Sequence, residues 1–425
     1  MSMSLVMMLI FFVLSFIGIP LALSLGLSVI TTVVSFGLPI TVIGRLMYTS
    51  MNSFLLVAVP LFILAGSVMG KGGVSDQIFG AAHTLVSRLR GGLGYVNIIA
   101  SFVFGGISGS SVADVGSLGP LEIKAMTDQG YPKDYSAAIT MVTATLSSVV
   151  PPSILMIIAA VTANQSVSAC LAGGFGPAII LSLMFVVVNA YVSIKNDYGV
   201  IEKIRFKDIV KINLKALPAL LSPLIILFGM FSGLITPTEA AAVAVVYTLL
   251  ISQFFYKTLN WKEIPRQIVN AGVTAGTILF IAMTAAVATY IFAVDQLPMR
   301  VSALILGISH NKHIVMLIFG LIFVVIGMFM DATAAILLIT PVLLPTAQQV
   351  GVNPVHFVVF MVTALSIGLT TPPVGVCLFA TSLVSNLKIE TIVKASIPFF
   401  IGIFIFLVIY ALVPAITLIP VSILT

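Results

Sequence analysis

Long apolar stretches separated by short polar connectors run through this chain from end to end. They fall at roughly 3–18, 20–37, 53–70, 93–126, 135–168, 173–194, 216–235, 238–256, 268–294, 313–347, 356–386 and 396–420. A helix rising 1.5 Å per residue needs about 20 apolar residues to cross a hydrocarbon core of about 30 Å. Most of these runs meet that need. Two do not behave as single spans. The runs 93–126 and 313–347 are each broken near the middle by glycine or polar residues, leaving halves that reach only ~22 Å. A half-helix that enters, turns and leaves is a re-entrant hairpin, and its uncovered backbone must be surrounded by protein or a polar cavity. The pattern predicts an all-α integral membrane protein with about ten transmembrane helices plus two re-entrant helical hairpins.

Charge placement orients the chain. With both hairpins re-entrant, the linkers 71–91, 122–134, 195–215, 257–266 and 388–394 share one side and hold 16 of the 19 lysines and arginines. Arg45, Arg300 and Lys312 are left on the other. The positive-inside rule makes the crowded side cytoplasmic and puts both termini outside. Reading either hairpin as a full span destroys this segregation.

The two halves repeat each other at an offset of 221, which carries Gly106 onto Gly327, Pro120 onto Pro341, Gly130 onto Gly351 and Pro151-Pro152 onto Pro372-Pro373. Since the first hairpin enters from the cytoplasm and the second from outside, the repeat is inverted. Broken helices meeting near the midplane of an inverted repeat point to the binding site of a secondary transporter. Amphipathic stretches precede each hairpin, at 71–91 and 295–312, and read as interfacial arms. Residues 198–215, with Lys203, Arg205, Lys207, Lys211 and Lys215, read as a cytoplasmic linker helix.

Composition agrees. Hydrophobic residues make up 60% of the 425, charged residues only 8%, and mean hydropathy is +1.23; a soluble domain averages about 25% charged residues. The net charge of +6 is scattered between apolar runs and excludes a nucleic-acid surface. Cys170 and Cys377 have no metal-ligand spacing and read as small core residues. The start lacks a basic region and a small-residue cleavage site, and reads as a retained first helix.

The polar breaks carry the candidate chemistry. In the first half they are Gly105-Gly-Ile-Ser-Gly-Ser-Ser-Val-Ala-Asp114 and Thr145-Leu-Ser-Ser-Val-Val-Pro-Pro-Ser153; in the second, Gly327-Met-Phe-Met-Asp-Ala-Thr333 and Ser366-Ile-Gly-Leu-Thr-Thr-Pro-Pro373. Hydroxyls and freed carbonyls supply oxygens for a small hard cation, while the helix start at Ser110–Ser111 offers N–H groups to an anion. We expect one Na⁺ site per half: Ser108, Ser110, Ser147 and Ser148 in the first, Gly327, Gly368, Thr370 and Thr371 in the second. Substrate is expected between the tips, near Ser111, Asp331, Ala332 and Thr333. Intramembrane carboxylates are usually functional. Asp331 is a candidate cation ligand or proton carrier, Asp114 a coupling or bracing group, and Glu239 a helix-start charge behind Pro237. Pro151, Pro152, Pro372 and Pro373 are the structural breaks. His83, His310, His313 and His356 fall near predicted interfaces, and no HExxH, GxGD or Walker A pattern supports an intramembrane protease or an ATP-driven pump. Two packed hairpins favour alternating access over an open channel.

The segments Ser108 to Asp114, Ser147 to Ser153, Gly233-Leu-Ile-Thr-Pro-Thr-Glu-Ala-Ala241, Asp331 with Thr340-Pro-Val-Leu-Leu-Pro345, and Gly368 to Gly375 together resemble the large membrane (M) subunit of tripartite ATP-independent periplasmic (TRAP) transporters. Within that family the chain looks most like the sialic acid (N-acetylneuraminate) type. The resemblance implies a multi-pass protein of the bacterial inner membrane that is not an enzyme. It also implies a separate small four-helix (Q) membrane subunit, a periplasmic substrate-binding protein, and Na⁺-coupled uptake of a carboxylate with two or more Na⁺ ions. A stand-alone Na⁺/dicarboxylate symporter-like permease is the alternative. The implied fold is of the elevator type, with transport halves at 92–168 (hairpin 92–126, broken helix 135–168) and 313–386 (hairpin 313–347, broken helix 356–386). Scaffold helices are expected at 1–70 and 169–294 and a C-terminal helix at 387–425.

Overall fold

The computed structural model describes residues 2–200 and 204–425, with nothing given for the Ile107 side chain. Among the described residues every regular element is helical. The expected Lys203 lies outside them, and the linker helix is corrected: the helix begins at Phe206 and continues unbroken to Phe231, so 206–215 extends a span. Two short N-terminal helices, Met3–Phe16 and Leu21–Ser35, pack on the long helix Ile264–Val294. Asp295 fastens this corner, accepting from the Ser4 backbone N–H at 3.1 Å and from Arg300 Nη2 at 3.4 Å.

Both hairpins form. The first runs out along Gly92–Ser108 and returns through Ser111–Ser117 and Gly119–Asp128. The second is Lys312–Phe329 followed by Ala332–Gln349, joined only by Met330 and Asp331. Its legs are longer than the sequence suggested: 18 residues each, or about 27 Å. By length alone either leg passes for a span. The link between them, however, is packed inside protein, with Met330, Ala332 and Thr333 buried. The arms are the helices Val74–Val86 and Leu297–Ile308, each lying against its hairpin.

Beside each hairpin stands a broken helix. Lys133–Val149 and Ile154–Thr162 meet at a 45° bend, and Pro354–Gly368 is followed, across Pro372-Pro373, by Val376–Ser385. The Pro151–Pro152 and Pro372–Pro373 bonds are both cis, another match within the repeat. The two broken helices cross at the centre, and Val376–Ser385 packs on the first hairpin's Ser111–Ser117.

Glycine sets how closely hairpin and broken helix approach. A Cβ on Gly105 would lie 2.5 Å from Ser147 Cα; one on Gly368 would lie 2.6 Å from the Val324 carbonyl oxygen and 2.7 Å from Gly327 Cα. Ser147 and Gly368 are 221 apart, so the same crossing recurs in both halves.

Packing divides the chain differently from the sequence expectation. The helix Val167–Lys195, grouped there with the scaffold, lies against both broken helices, the outgoing leg of the first hairpin, Ile389–Leu412 and Ala415–Leu424. The helices 54–71, 206–231 and 237–255 pack mainly on one another, on 264–294 and on the first arm, while 264–294 also packs on the N-terminal helices and on Ala332–Gln349. Gly368→Ala must displace backbone, and a loss of about 1–3 kcal/mol is expected, read as a lower thermal midpoint of the purified protein. Gly116→Ala, where no atom lies within 4 Å of the new Cβ, should leave that midpoint unchanged or slightly raised.

Candidate functional site

The first hairpin turns at Gly109, whose φ of 60° ends the outgoing leg, and restarts at Ser110. The Ser110 side chain accepts from the Ala113 N–H at 3.4 Å. The Ser111 N–H donates to Ser148 Oγ at 3.1 Å, and the two hydroxyls stand 2.6 Å apart. Of the N–H groups at this helix start, expected to be open to an anion, those of Ser111 and Ala113 are therefore already partnered. The Ser148 carbonyl is partnered too, accepting from Ser153 Oγ at 2.5 Å. Ser147 hydrogen-bonds to the Asp114 carboxylate and lies 3.0 Å from the Ser101 carbonyl oxygen. Ser108 differs: it is buried, and its hydroxyl has no partner.

Behind these groups runs a polar ladder that sequence reasoning missed. Asn97 Nδ2 donates to Thr140 Oγ1 at 2.7 Å, and Thr143 Oγ1 donates to Asn97 Oδ1 at 2.5 Å. Ser101 Oγ lies 3.4 Å from both Thr143 Oγ1 and Asp114 Oδ1. Glu122, two turns beyond Asp114, is also fully buried. The signal was present as spacing: Asn97/Ser101 at i, i+4 and Thr140/Thr143 at i, i+3 place polar groups on one face of each helix.

The second half is built mainly from backbone. Asp331 caps the returning leg, accepting from the Thr333 N–H at 2.8 Å. At the offset of 221 it is the counterpart of Ser110, the cap in the first half. Thr370 and Thr371 both donate to the Ile367 carbonyl at 2.8 Å, the local bonding that competes with a ligand role. Their lone pairs stay available as acceptors. The Gly375 N–H donates to the Met328 carbonyl at 2.9 Å and ties the Pro-Pro break to the second tip. Gly327 and Gly368 touch as described. Cys377 sits between the halves, buried, within electrostatic reach of both Asp114 and Asp331.

Two other expected residues take plain structural roles. Glu239 forms a capping box with Thr236, accepting from its N–H at 2.7 Å and its hydroxyl at 2.8 Å. His356, at the start of its span, is 1% exposed, with Nδ1 2.9 Å from Thr417 Oγ1, because Ala415–Leu424 folds over it.

Two glycine-crossed hairpins meeting two broken helices at a buried polar centre define a polytopic membrane permease of secondary-transporter architecture. The chain belongs to the DctM component family of the tripartite ATP-independent periplasmic transporters, which matches residues 8–416. It is 35% identical over 97% of its length to the sialic acid TRAP transporter permease SiaT of Haemophilus influenzae, and 36% identical over 94% to the isethionate TRAP transporter permease DctMQ of Oleidesulfovibrio alaskensis. Those relatives are longer, and the chain spans 67% and 63% of them. It is 36% identical to the sialic acid TRAP transporter large permease SiaM of Vibrio cholerae over 88% of this chain and 87% of that one. The Alcanivorax borkumensis YdaH transporter shares the fold, with a TM-score of 0.58 at 14% identity over 85% of this chain and 87% of that one.

Ser148→Ala removes the partner of both Ser111 groups. We expect about 1–3 kcal/mol of destabilisation and reduced uptake at normal protein level. Ser182→Ala, whose hydroxyl only bonds back to Ala178 at 2.8 Å, should stay within about 0.5 kcal/mol of the parent in the same unfolding assay.

Proposed function

We propose that this chain is the large permease of a Na⁺-coupled TRAP system for an organic carboxylate, of the sialic acid type. The observation carrying this reading is the first tip. There the buried Ser108 hydroxyl, one turn before Ser111 in the sequence, lacks a partner among the described residues, while Ser111 pairs with Ser148 and Ser147 with the Asp114 carboxylate. An all-oxygen set of hydroxyls and carbonyls with one nearby carboxylate suits a small hard cation. Ser108, Ser110, Ser147 and Ser148 would hold one Na⁺; backbone oxygens at Gly327 and Gly368 with Thr370 and Thr371 would hold another. Two ions would add positive charge between the tips, where Ser111, Asp331, Ala332 and Thr333 would meet the substrate carboxylate. The substrates named for the relatives, sialic acid and isethionate, are organic acids.

In this reading a separate four-helix Q subunit covers the lipid-side scaffold, and a periplasmic binding protein delivers substrate at the outer face, where both termini lie. The moving unit comprises 92–195 and 312–424, extended from the sequence expectation by the packing of Val167–Lys195, and slides against the remaining helices as an elevator. The membrane is the bacterial inner membrane, and the basic connectors face the cytoplasm.

Uptake into proteoliposomes with binding protein and small subunit should require an inward Na⁺ gradient. Uptake unchanged in Na⁺-free buffer under a proton gradient overturns the coupling, and uptake without binding protein establishes the stand-alone permease instead. Ser108→Ala and Thr371→Ala should each raise the Na⁺ concentration for half-maximal uptake; normal values in both remove these ligands.

A further inference from the structure

Glu122 has no role in the site described above, yet it is 0% exposed, as is Asp114. Among the described residues neither of its carboxyl oxygens has a partner in hydrogen-bonding geometry; the Thr140 hydroxyl is the polar group beside it. Asp114 faces it electrostatically from the preceding helix. Among the described residues, the other groups around the pair bring no positive charge. Gly92–Ser108 contributes Asn97 and Ser101, and Lys133–Thr143 contributes Thr140 and Thr143, all neutral. Val376–Ser385 contributes the buried Cys377 thiol, within electrostatic reach of Asp114. Lys124 and Lys133 are exposed, Asp134 is half-buried, and Tyr135 directs its phenol to Asn189. The ion pairs among described residues, Arg90–Asp197 and Arg300–Asp295, lie elsewhere.

Two carboxylates buried together without a cation are not both stable as anions. Asp114 has donors, Ser147 and Ser101, that favour its charged form. Glu122 has none. We propose that Glu122 is a proton site of the first hairpin: its carboxyl carries a proton until a cation beside Asp114 compensates the charge, and then releases it. The exchange balances as one Na⁺ bound for one H⁺ released to solvent, with no other bond changed. This deepens the Na⁺-coupled reading and rests on it. Na⁺ affinity then rises with pH, because raising pH removes the proton that Na⁺ must displace.

The test uses the full chain purified in nanodiscs. ²²Na⁺ binding is measured across pH, and proton release on Na⁺ addition is followed with a pH dye in weak buffer. The native chain should gain on the order of tenfold in Na⁺ affinity per pH unit across the window where one proton is exchanged, and should release close to one proton per Na⁺. Glu122→Gln, of the same shape, should bind Na⁺ with pH-independent affinity and release no proton; Glu122→Asp, which restores an acid, should regain both. Infrared difference spectra should show a protonated-carboxyl stretch in Na⁺-free native protein that is absent from Glu122→Gln. Native pH dependence in Glu122→Gln, or no proton release by the native chain, overturns the exchange. Absence of that stretch overturns the proton site itself. Absence of Na⁺ binding at every pH, with the stretch present, instead sinks the Na⁺-coupled reading and the exchange with it, while the protonated Glu122 stands.

Discussion

Everything in this fold follows from one constraint: backbone N–H and C=O groups surrounded by apolar material must find partners inside the protein. The chain interrupts its helices at Gly109, at Val150 to Ser153, at Met330–Asp331 and at Leu369 to Gly375. Each interruption releases groups that a continuous helix would have paired. They are answered locally, by Ser110, Ser153 and Asp331 as caps, by Ser148 on the Ser111 N–H, and by Met328 on the Gly375 N–H. The glycine crossings are part of the same solution. Without side chains at Gly105 and Gly368, a tip comes close enough to its broken helix for these bonds to form.

The repeat is geometric more than chemical. Ser110 corresponds to Asp331, so the cap is neutral in one half and anionic in the other. Asp114 corresponds to Ala335, and Ser147 to Gly368. The first half therefore holds buried side-chain oxygens in a ladder, whereas the second offers backbone oxygens and a single carboxylate at its tip. Two half-sites of one shape thus present different charge: two buried carboxylates, Asp114 and Glu122, behind the first tip, and the single capping carboxylate of Asp331 at the second.

Hydropathy made the hairpins, arms and broken helices legible, because a bilayer imposes length and charge asymmetry on sequence directly. The double prolines were equally visible, as proline stops a helix wherever it falls in one. The partners of the polar groups were less visible. Ser147 and Ser148 were found as members of a break, but their bonds to Asp114 and Ser111 depend on which helices cross. Asn97, Thr140 and Thr143 lie in helical stretches with no break to mark them. Glu122 followed Pro120 in what read as the cytoplasmic end of the hairpin, and only the packing of 119–128 against 133–143 shows it to be enclosed. Val167–Lys195 read as an ordinary span; its allegiance comes from Gly173, Gly174 and Gly176, which let Thr417, the Val149 carbonyl and Ile416 approach.

The hydrogen bonds themselves bear on whether the two bodies can move past each other. Among the described residues, the ladder of the first half closes entirely within 92–153. The scaffold's long-range bonds, Ser67 to Gln267 and Thr238 to the Phe54 carbonyl, close within the scaffold. Asn213 to Thr84 and Thr258 to the Gly72 carbonyl join the scaffold to the first arm and its entry. At the far side Ser302 of the outer arm meets Gln349 at the end of the second hairpin, and at the near side Asn189 meets the Gly91 carbonyl where the first arm hands over. Among the described residues, the polar links to the proposed moving unit thus sit at its ends, where an arm would act as a hinge. The long faces, such as 58–71 on 92–108 and 264–294 on 332–349, meet through side chains that make no such bonds. Stranding a buried donor or acceptor costs about 1–3 kcal/mol each time. A boundary that slides is therefore best left apolar, with its directional bonds kept inside each body and at its ends, and the proposed elevator boundary of this chain has that distribution among the described residues.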